Sequence, residues 1–307
     1  MRTIPLFLVL LWSSLAAAKV INVEFKFTPF VGDPAKADHV ETVPGRAQVL
    51  INNLPIAEQP VSQQEVPVLF EAREIAAAVW VPVESLGPAL RKGKNTIRIE
   101  FAPADAKVPY RALLRWASVT DQTTERSDAG HHKSTNQSNE GVEDKQATGK
   151  VVFEREFVAD FAADLPWHHY PAVTALSDED KQHLTALVKE RVEAFKPDFA
   201  GVYKLLKSNQ KIDLSGLQAA KCLDKAYAAG VRIVAAPPDQ IEFATTGSAA
   251  VVVRRKEVGL YAPADPSAFE KIEGDEAQMC VNMALFGAYP PRLVVVRAPS
   301  GGWEVAY

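Results

Sequence analysis

The spacing of apolar side chains changes period once along this chain, from two residues to 3.6, and that change limits the folds open to it. In the first half Ile21, Val23, Phe25 and Phe27 alternate with Asn22, Glu24, Lys26 and Thr28. The same alternation runs through Ala47, Val49 and Ile51, through Val66, Val68 and Phe70, and through Ile97, Ile99 and Phe101. A period of two puts one face of a strand in the core and the other in water. Turn residues separate the runs, at Gly32-Asp33-Pro34, Pro44-Gly45, Asn52-Asn53, Gly87-Pro88 and Gly93-Lys94-Asn95. Short strands with frequent turns predict an all-β antiparallel sandwich over residues 19–163.

Residues 122–150 carry almost no apolar side chain beyond Val142 and a few alanines. Such a stretch buries too little to offset its ordering entropy, so a mobile polar loop is expected within the sandwich. Its flanks, 112–119 and 151–161, alternate and should pair as a hairpin. The interdomain segment is then 164–176, which contains Pro166 and Pro171.

From Ser177 the period becomes helical. Ser177 can cap a helix whose first turn holds Asp178, Glu179 and Asp180, acids placed at the positive end of the helix dipole. Leu184, Leu187, Val188, Val192 and Phe195 form one apolar stripe, and Pro197 stops it. A short helix should follow from Asp198, and a third over 214–229 should end at Gly230. Strands are expected at 232–235, 240–245, 249–255 and 277–286, with a terminal hairpin of 293–297 and 303–307. Helices followed by an antiparallel sheet predict an α+β domain over 177–307.

The N-terminus reads as an export signal of 18 residues. Arg2 is followed by the apolar run 4–12, and Ala16 and Ala18 supply the small side chains a signal peptidase needs, leaving Lys19 as the first mature residue. The run is too short to span a bilayer, which takes about 20 apolar residues. No later segment is apolar enough to span either, so the mature chain is expected to be soluble, in the periplasm or secreted. Lys and Arg total 34 against 38 Asp and Glu, a net charge of −4, which removes the electrostatic basis for binding nucleic acid. Cys222 and Cys280 are the two cysteines. In an oxidising compartment they are either a disulfide or two separate buried thiols, and spacing alone leaves both open.

The second half resembles nuclear transport factor 2-like (cystatin-like cone) domains. The likeness rests on a long first helix ending in Ala194-Phe195, the short Asp198-Phe199-Ala200-Gly201-Val202-Tyr203 helix and a sheet closing on Gly301-Gly302-Trp303-Glu304-Val305. It implies a bent sheet wrapped on a helix with a pocket at its mouth, used by some members for acid–base catalysis and by many for binding or assembly. No catalytic residue of that family has a counterpart here to carry over. In the first half, Leu90-Arg91-Lys92-Gly93-Lys94-Asn95-Thr96-Ile97-Arg98-Ile99 resembles a turn-and-strand segment of jelly-roll sugar-binding accessory domains, and an immunoglobulin-like sandwich fits equally well.

The most unusual local run is Trp167-His168-His169-Tyr170, held between Pro166 and Pro171. It is a candidate ligand-contacting patch, or else a packing segment between the domains. No nucleophile elbow, phosphate-binding glycine loop or metal-ligand spacing occurs, so no catalytic residue, metal or cofactor is assigned. These features together predict a non-catalytic ligand-binding or assembly module of the cell envelope, whose partner is an unidentified protein or small molecule. The alternative is a small-molecule enzyme, of isomerase or hydrolase type, with an acid–base residue in the second domain's pocket.

Overall fold

The computed structural model describes residues 19–69, 73–126, 132–207, 213–256 and 258–307, with side chains described outside 122–136. The expected signal, 1–18, and Phe70 of the third alternating run lie outside the described residues.

The first half is built from strands β1 (Lys19–Val31), β2 (His39–Thr42), β3 (Gly45–Ile51), β4 (Leu54–Val61), β5 (Glu65–Leu69), β6 (Glu74–Ile75), β7 (Val79–Pro82), β8 (Gly93–Pro103), β9 (Pro109–Arg126), β10 (His132–Thr148) and β11 (Val151–Ala159). One sheet of seven strands runs β10-β9-β1-β2-β5-β6 with β7 also paired to β1, and a second of four runs β11-β8-β3-β4. Every pairing within them is antiparallel. The alternating residues meet between the sheets: Phe25 and Phe27 from β1, Val49 and Ile51 from β3, Ile97 to Phe101 from β8 and Phe153 from β11 share one core. Phe27 lies edge-on to Phe153 at 5.9 Å.

The polar stretch 122–150 is not a loop over most of its length. Its residues 132–148 are β10, paired residue by residue with β9 and shifted once between Lys133 and Ser134. Lack of apolar side chains decides burial but not pairing, because a strand at a sheet edge needs only its backbone ladder. The expected hairpin between 112–119 and 151–161 is also absent, since β11 pairs with β8 in the opposite sheet. The chain crosses over at Gly149, where φ is +81°. The Tyr110 hydroxyl donates to Gly149 O at 2.6 Å and Lys145 Nζ donates to Val152 O at 2.7 Å, which fixes that corner.

Gly141 holds the register of the long hairpin. It sits opposite Trp116, and a Cβ there would lie 2.0 Å from Trp116 Cζ2. The indole has little room to yield, because the Arg155 guanidinium stacks on it at 3.4 Å. Gly141→Ala should therefore cost about 1–3 kcal/mol in urea unfolding through overpacking. Glu140→Ala beside it should change the midpoint little, and equal effects from both would remove Gly141 from this role.

In the second half the helices are α1 (Asp178–Val192), α2 (Ala200–Leu206), α3 (Leu214–Ala219), α4 (Cys222–Ala228) and α5 (Asp275–Ala288). The strands are β12 (Ile233–Ala235), β13 (Ile241–Thr245), β14 (Ala250–Arg255), β15 (Tyr261–Pro263), β16 (Arg292–Arg297) and β17 (Trp303–Val305). They make an antiparallel sheet in the order β13-β14-β16-β17 and a separate β12-β15 pair. The expected capping box is present, with Asp180 N donating to Ser177 Oγ at 3.1 Å and Ser177 N to Asp180 Oδ2 at 3.0 Å.

Two expectations are corrected here. The predicted single helix over 214–229 is α3 and α4, broken at Lys221, whose φ is +51°. More consequentially, the predicted strand 277–286 is helix α5. Its buried residues Val281, Ala284, Leu285 and Ala288 recur at helical spacing, and Asp275 and Glu276 occupy its first turn. Met279, Met283 and Phe286 are left on its exposed side. A helix therefore stands between the strands, so the order is not helices first and sheet after.

Cys222, fully buried at the start of α4, is bonded to Cys280 on α5, with Cα atoms 5.8 Å apart. Such a bond is at home in an oxidising compartment. No helix among the described residues is long and apolar enough to cross a membrane.

The sheet of the second half is covered on both faces. Val251, Val253, Leu293 and Val295 face the helices, while Ala250, Val252, Val294 and Val296 face Leu54, Ala89 and Trp167. Arg292 also donates to Ile56 O, and Asn53 Nδ2 to Thr246 O at 3.1 Å.

Candidate ligand-binding surface

The segment Trp167-His168-His169-Tyr170 is a single 3-10 turn over Pro166–His169 with Tyr170 following. Trp167 is buried in the apolar seam between the halves, with its ring 6.4 Å from that of Tyr307, and Tyr170 packs on the same seam. The Trp167 Nε1 has no hydrogen-bond partner among the described residues. His168 is buried too, accepting from Leu165 N at Nδ1 (3.3 Å) and lying 3.1 Å from Pro88 O at Nε2. That pairing makes Nε2 the protonated nitrogen, and burial pushes the imidazole below its ordinary range, so it is neutral near pH 7. His169 points away and contacts Asp164 Oδ1 at 2.6 Å. The run thus does not converge on one point: two of its rings pack the seam, His168 braces it, and His169 stays at the surface.

The outward face of the seven-stranded sheet offers a different arrangement. Side chains from β1, β6, β9 and β10 line a cleft of about 360 Å³, with Glu24, Lys26, Glu74, Arg115 and Val142 among its walls. Lys26 Nζ lies 2.7 Å from Glu24, and Trp80 Nε1 donates to the same carboxylate at 3.0 Å. Burial disfavours the charged form of Glu24 and pushes its pKa up, but these two donors outweigh it and hold the carboxyl below its usual range. Arg115 pairs with Glu74 from the far edge of the sheet. Trp80 stands opposite Lys26 on the adjoining strand and is 57% exposed, and Val142 across the sheet is 58% exposed. Period-two alternation places these residues on one face, but the sequence reading assigned none of them. The signal was present: Trp80 lies in the short alternating run Val79-Trp80-Val81, on the face opposite its valines.

A second, wider cleft of about 400 Å³ lies at the end of the same sheet, beside Phe30, Tyr110 and Arg111. Its polar groups hold the hairpin corner: Tyr110 is bonded to Gly149, and Arg111 pairs with Asp144 while lying over the Phe30 ring.

Among the described residues of the second half, the carboxylate with the most hydrogen-bond partners is Asp180. Ser177 N and Oγ, Arg297 and Trp303 Nε1 all donate to it, and although burial acts the other way they hold it far below the usual carboxylate range. An acid so firmly ionised is a fastening and is not poised to accept a proton near neutral pH. Ser248 lies in a turn with its hydroxyl 2.8 Å from Thr246 Oγ1. Among the described residues no three His, Cys, Asp or Glu side chains cluster as a metal site. Comparison with protein-family models, with curated proteins and with solved structures returns no match to this chain.

Proposed function

We propose that the protein is an exported, non-catalytic binding module that holds a carbohydrate on the outward face of its seven-stranded sheet. The observation that carries this reading is Trp80: a large aromatic plane left in solvent, steered at its nitrogen by Glu24, beside a floor of paired charges. An indole face is apolar and suits the C–H faces of a sugar ring, while ion-paired carboxylates and cations offer acceptors and donors already held in place. The pairs Glu24–Lys26 and Glu74–Arg115 cancel in charge, which favours a neutral, hydroxyl-rich ligand over an ionic one. The jelly-roll resemblance of the turn at Gly93-Lys94-Asn95 supports the same ligand class.

The two-domain organisation belongs to this proposal. Each half has a core of its own, and the seam through Trp167 joins them. The second half is read as a cone-like domain modified by the insertion of α5 between its strands, serving assembly rather than catalysis. Export is supported by the N-terminal pattern and by the Cys222–Cys280 bond.

The test is a binding screen of the mature chain against a panel of neutral and acidic glycans, followed by Trp80→Ala. A neutral glycan should bind, and the variant should lose at least about tenfold in affinity, the size expected when a stacking aromatic is truncated. Binding unaffected by the variant would overturn the assignment of this face.

A further inference from the structure

The two clefts of the seven-stranded sheet are joined by one open track. Trp80, Lys26, Arg115 and Val142 stand in a row across the strands, each the register partner of the next. Four residues further along the same strands, Phe30, Arg111 and Gln146 form a second row. An even number of residues returns a side chain to the same face, and four at about 3.4 Å each put the rows about 14 Å apart. The cleft of about 360 Å³ is lined by Lys26, Arg115 and Val142, and that of about 400 Å³ by Phe30, Arg111 and Gln146.

The ground between the rows differs from strand to strand. On β1 and β9 it is closed, because Thr28 and Leu113 are buried and Leu113 packs in a small core with Val66, Val68 and Ile75. On β10, the edge strand, it is open: Val142, Asp144, Gln146 and Thr148 are exposed while the residues between them are half-buried. Every cation lining the two clefts is ion-paired, Lys26 with Glu24, Arg115 with Glu74 and Arg111 with Asp144. Glu140 is a further lining charge, and it is an acid. A polyanionic chain would meet repulsion here with no free cation to offset it. The Gln146 amide offers two N–H donors and a carbonyl acceptor, which suit the hydroxyls of a sugar. An occupant of both clefts must therefore be long, narrow, uncharged and rich in hydroxyls.

We infer that the ligand is a neutral, unbranched oligosaccharide that starts on Trp80 and continues along the outward face of β10 to Gln146. The inference rests on the carbohydrate reading of the Trp80 face and adds that the ligand is a chain and not a single sugar. Its path turns at Val142, from across the strands to along β10, so a chain whose linkages permit a curve fits better than a rigid straight one.

The experiment titrates the mature chain with a length series of the neutral glycan chosen in the screen, from the single sugar to the longest soluble oligomer. Affinity should rise with length by at least about tenfold, as one ligand comes to engage both clefts, and then level off. Amide signals in nitrogen–proton spectra should shift around Lys26 and Val142 with the shortest ligand that binds, and also at Arg111 and Gln146 with the longest. In Gln146→Ala, the ratio of long-chain to short-chain affinity should fall by about threefold or more, the size of one hydrogen bond. Equal affinity at every length, or no shift at Gln146 with any oligomer, would overturn the track and leave the Trp80 site standing. An unchanged ratio in Gln146→Ala would do the same. Absence of binding at every length would overturn both.

Discussion

Reduction of the Cys222–Cys280 bond is expected to lower the thermal midpoint of the mature protein by about 10 °C. The two cysteines are 58 residues apart in sequence, and closing a loop of that length removes chain entropy worth about 4 kcal/mol from the unfolded state. Spread over the unfolding of a domain of this size, that is a shift of several degrees per kcal/mol lost. The bond fastens the first turn of α4 to the middle of α5, the helix that interrupts the strands of the second half. The change should therefore fall on the second half, with the sandwich unfolding as before. Before reduction, the denatured protein should show no reactive thiol. Two reactive thiols per chain, or a midpoint indifferent to reductant, would contradict the pairing.

Asp180→Asn is expected to destabilise the protein by about 3 kcal/mol. One carboxylate oxygen accepts from Ser177 at the helix start and the other from Arg297 on β16 and Trp303 on β17. Hydrogen bonds to a charged group contribute more than neutral ones, about 1.5–3 kcal/mol each, and an amide turns an NH2 toward donors on one side or the other. Because the folded state holds this acid below its unfolded value, its contribution is complete above about pH 4, the ordinary aspartate range, and is lost as pH falls through the folded value. The stability gap between wild type and Asp180→Asn should thus be full at neutral pH and narrow in strong acid. A gap that does not change with pH would mean that the ionised form is not what matters.

Much of the architecture can be read from side-chain order alone, and the failures have identifiable causes. Alternation in β1, β3 and β8 reports strands because one face of each is buried and the other wet. The Ser177–Asp180 capping box is likewise local, so its residues suffice to reveal it. The stretch 132–148 misleads because an edge strand can be polar on both faces while its backbone is fully paired to β9. The segment 277–286 misleads through Met279, Val281 and Met283, which alternate like a strand. Its buried set, Val281, Ala284, Leu285 and Ala288, has the helical period.

The seam between the halves had a sequence signature of its own. The unbroken apolar run Ala249-Ala250-Val251-Val252-Val253 marks a strand covered on both faces, by helices on one side and by Trp167 and Leu54 on the other. The outward cleft was less legible. Glu24, Lys26, Trp80 and Arg115 each look like the wet side of an ordinary strand, and their convergence depends on β7 and β9 both flanking β1. Long-range pairing of that kind leaves no mark on any single segment.

The central claim is that ligand is held at the outward sheet face and that the Trp167 seam serves packing. Calorimetric titration of the best glycan from the screen into wild type, Trp80→Ala and Trp167→Phe tests it most directly. Trp80→Ala is expected to lose at least about tenfold in affinity, while Trp167→Phe should bind as wild type does but unfold at a lower temperature. Loss of binding in Trp167→Phe with affinity retained in Trp80→Ala would contradict it.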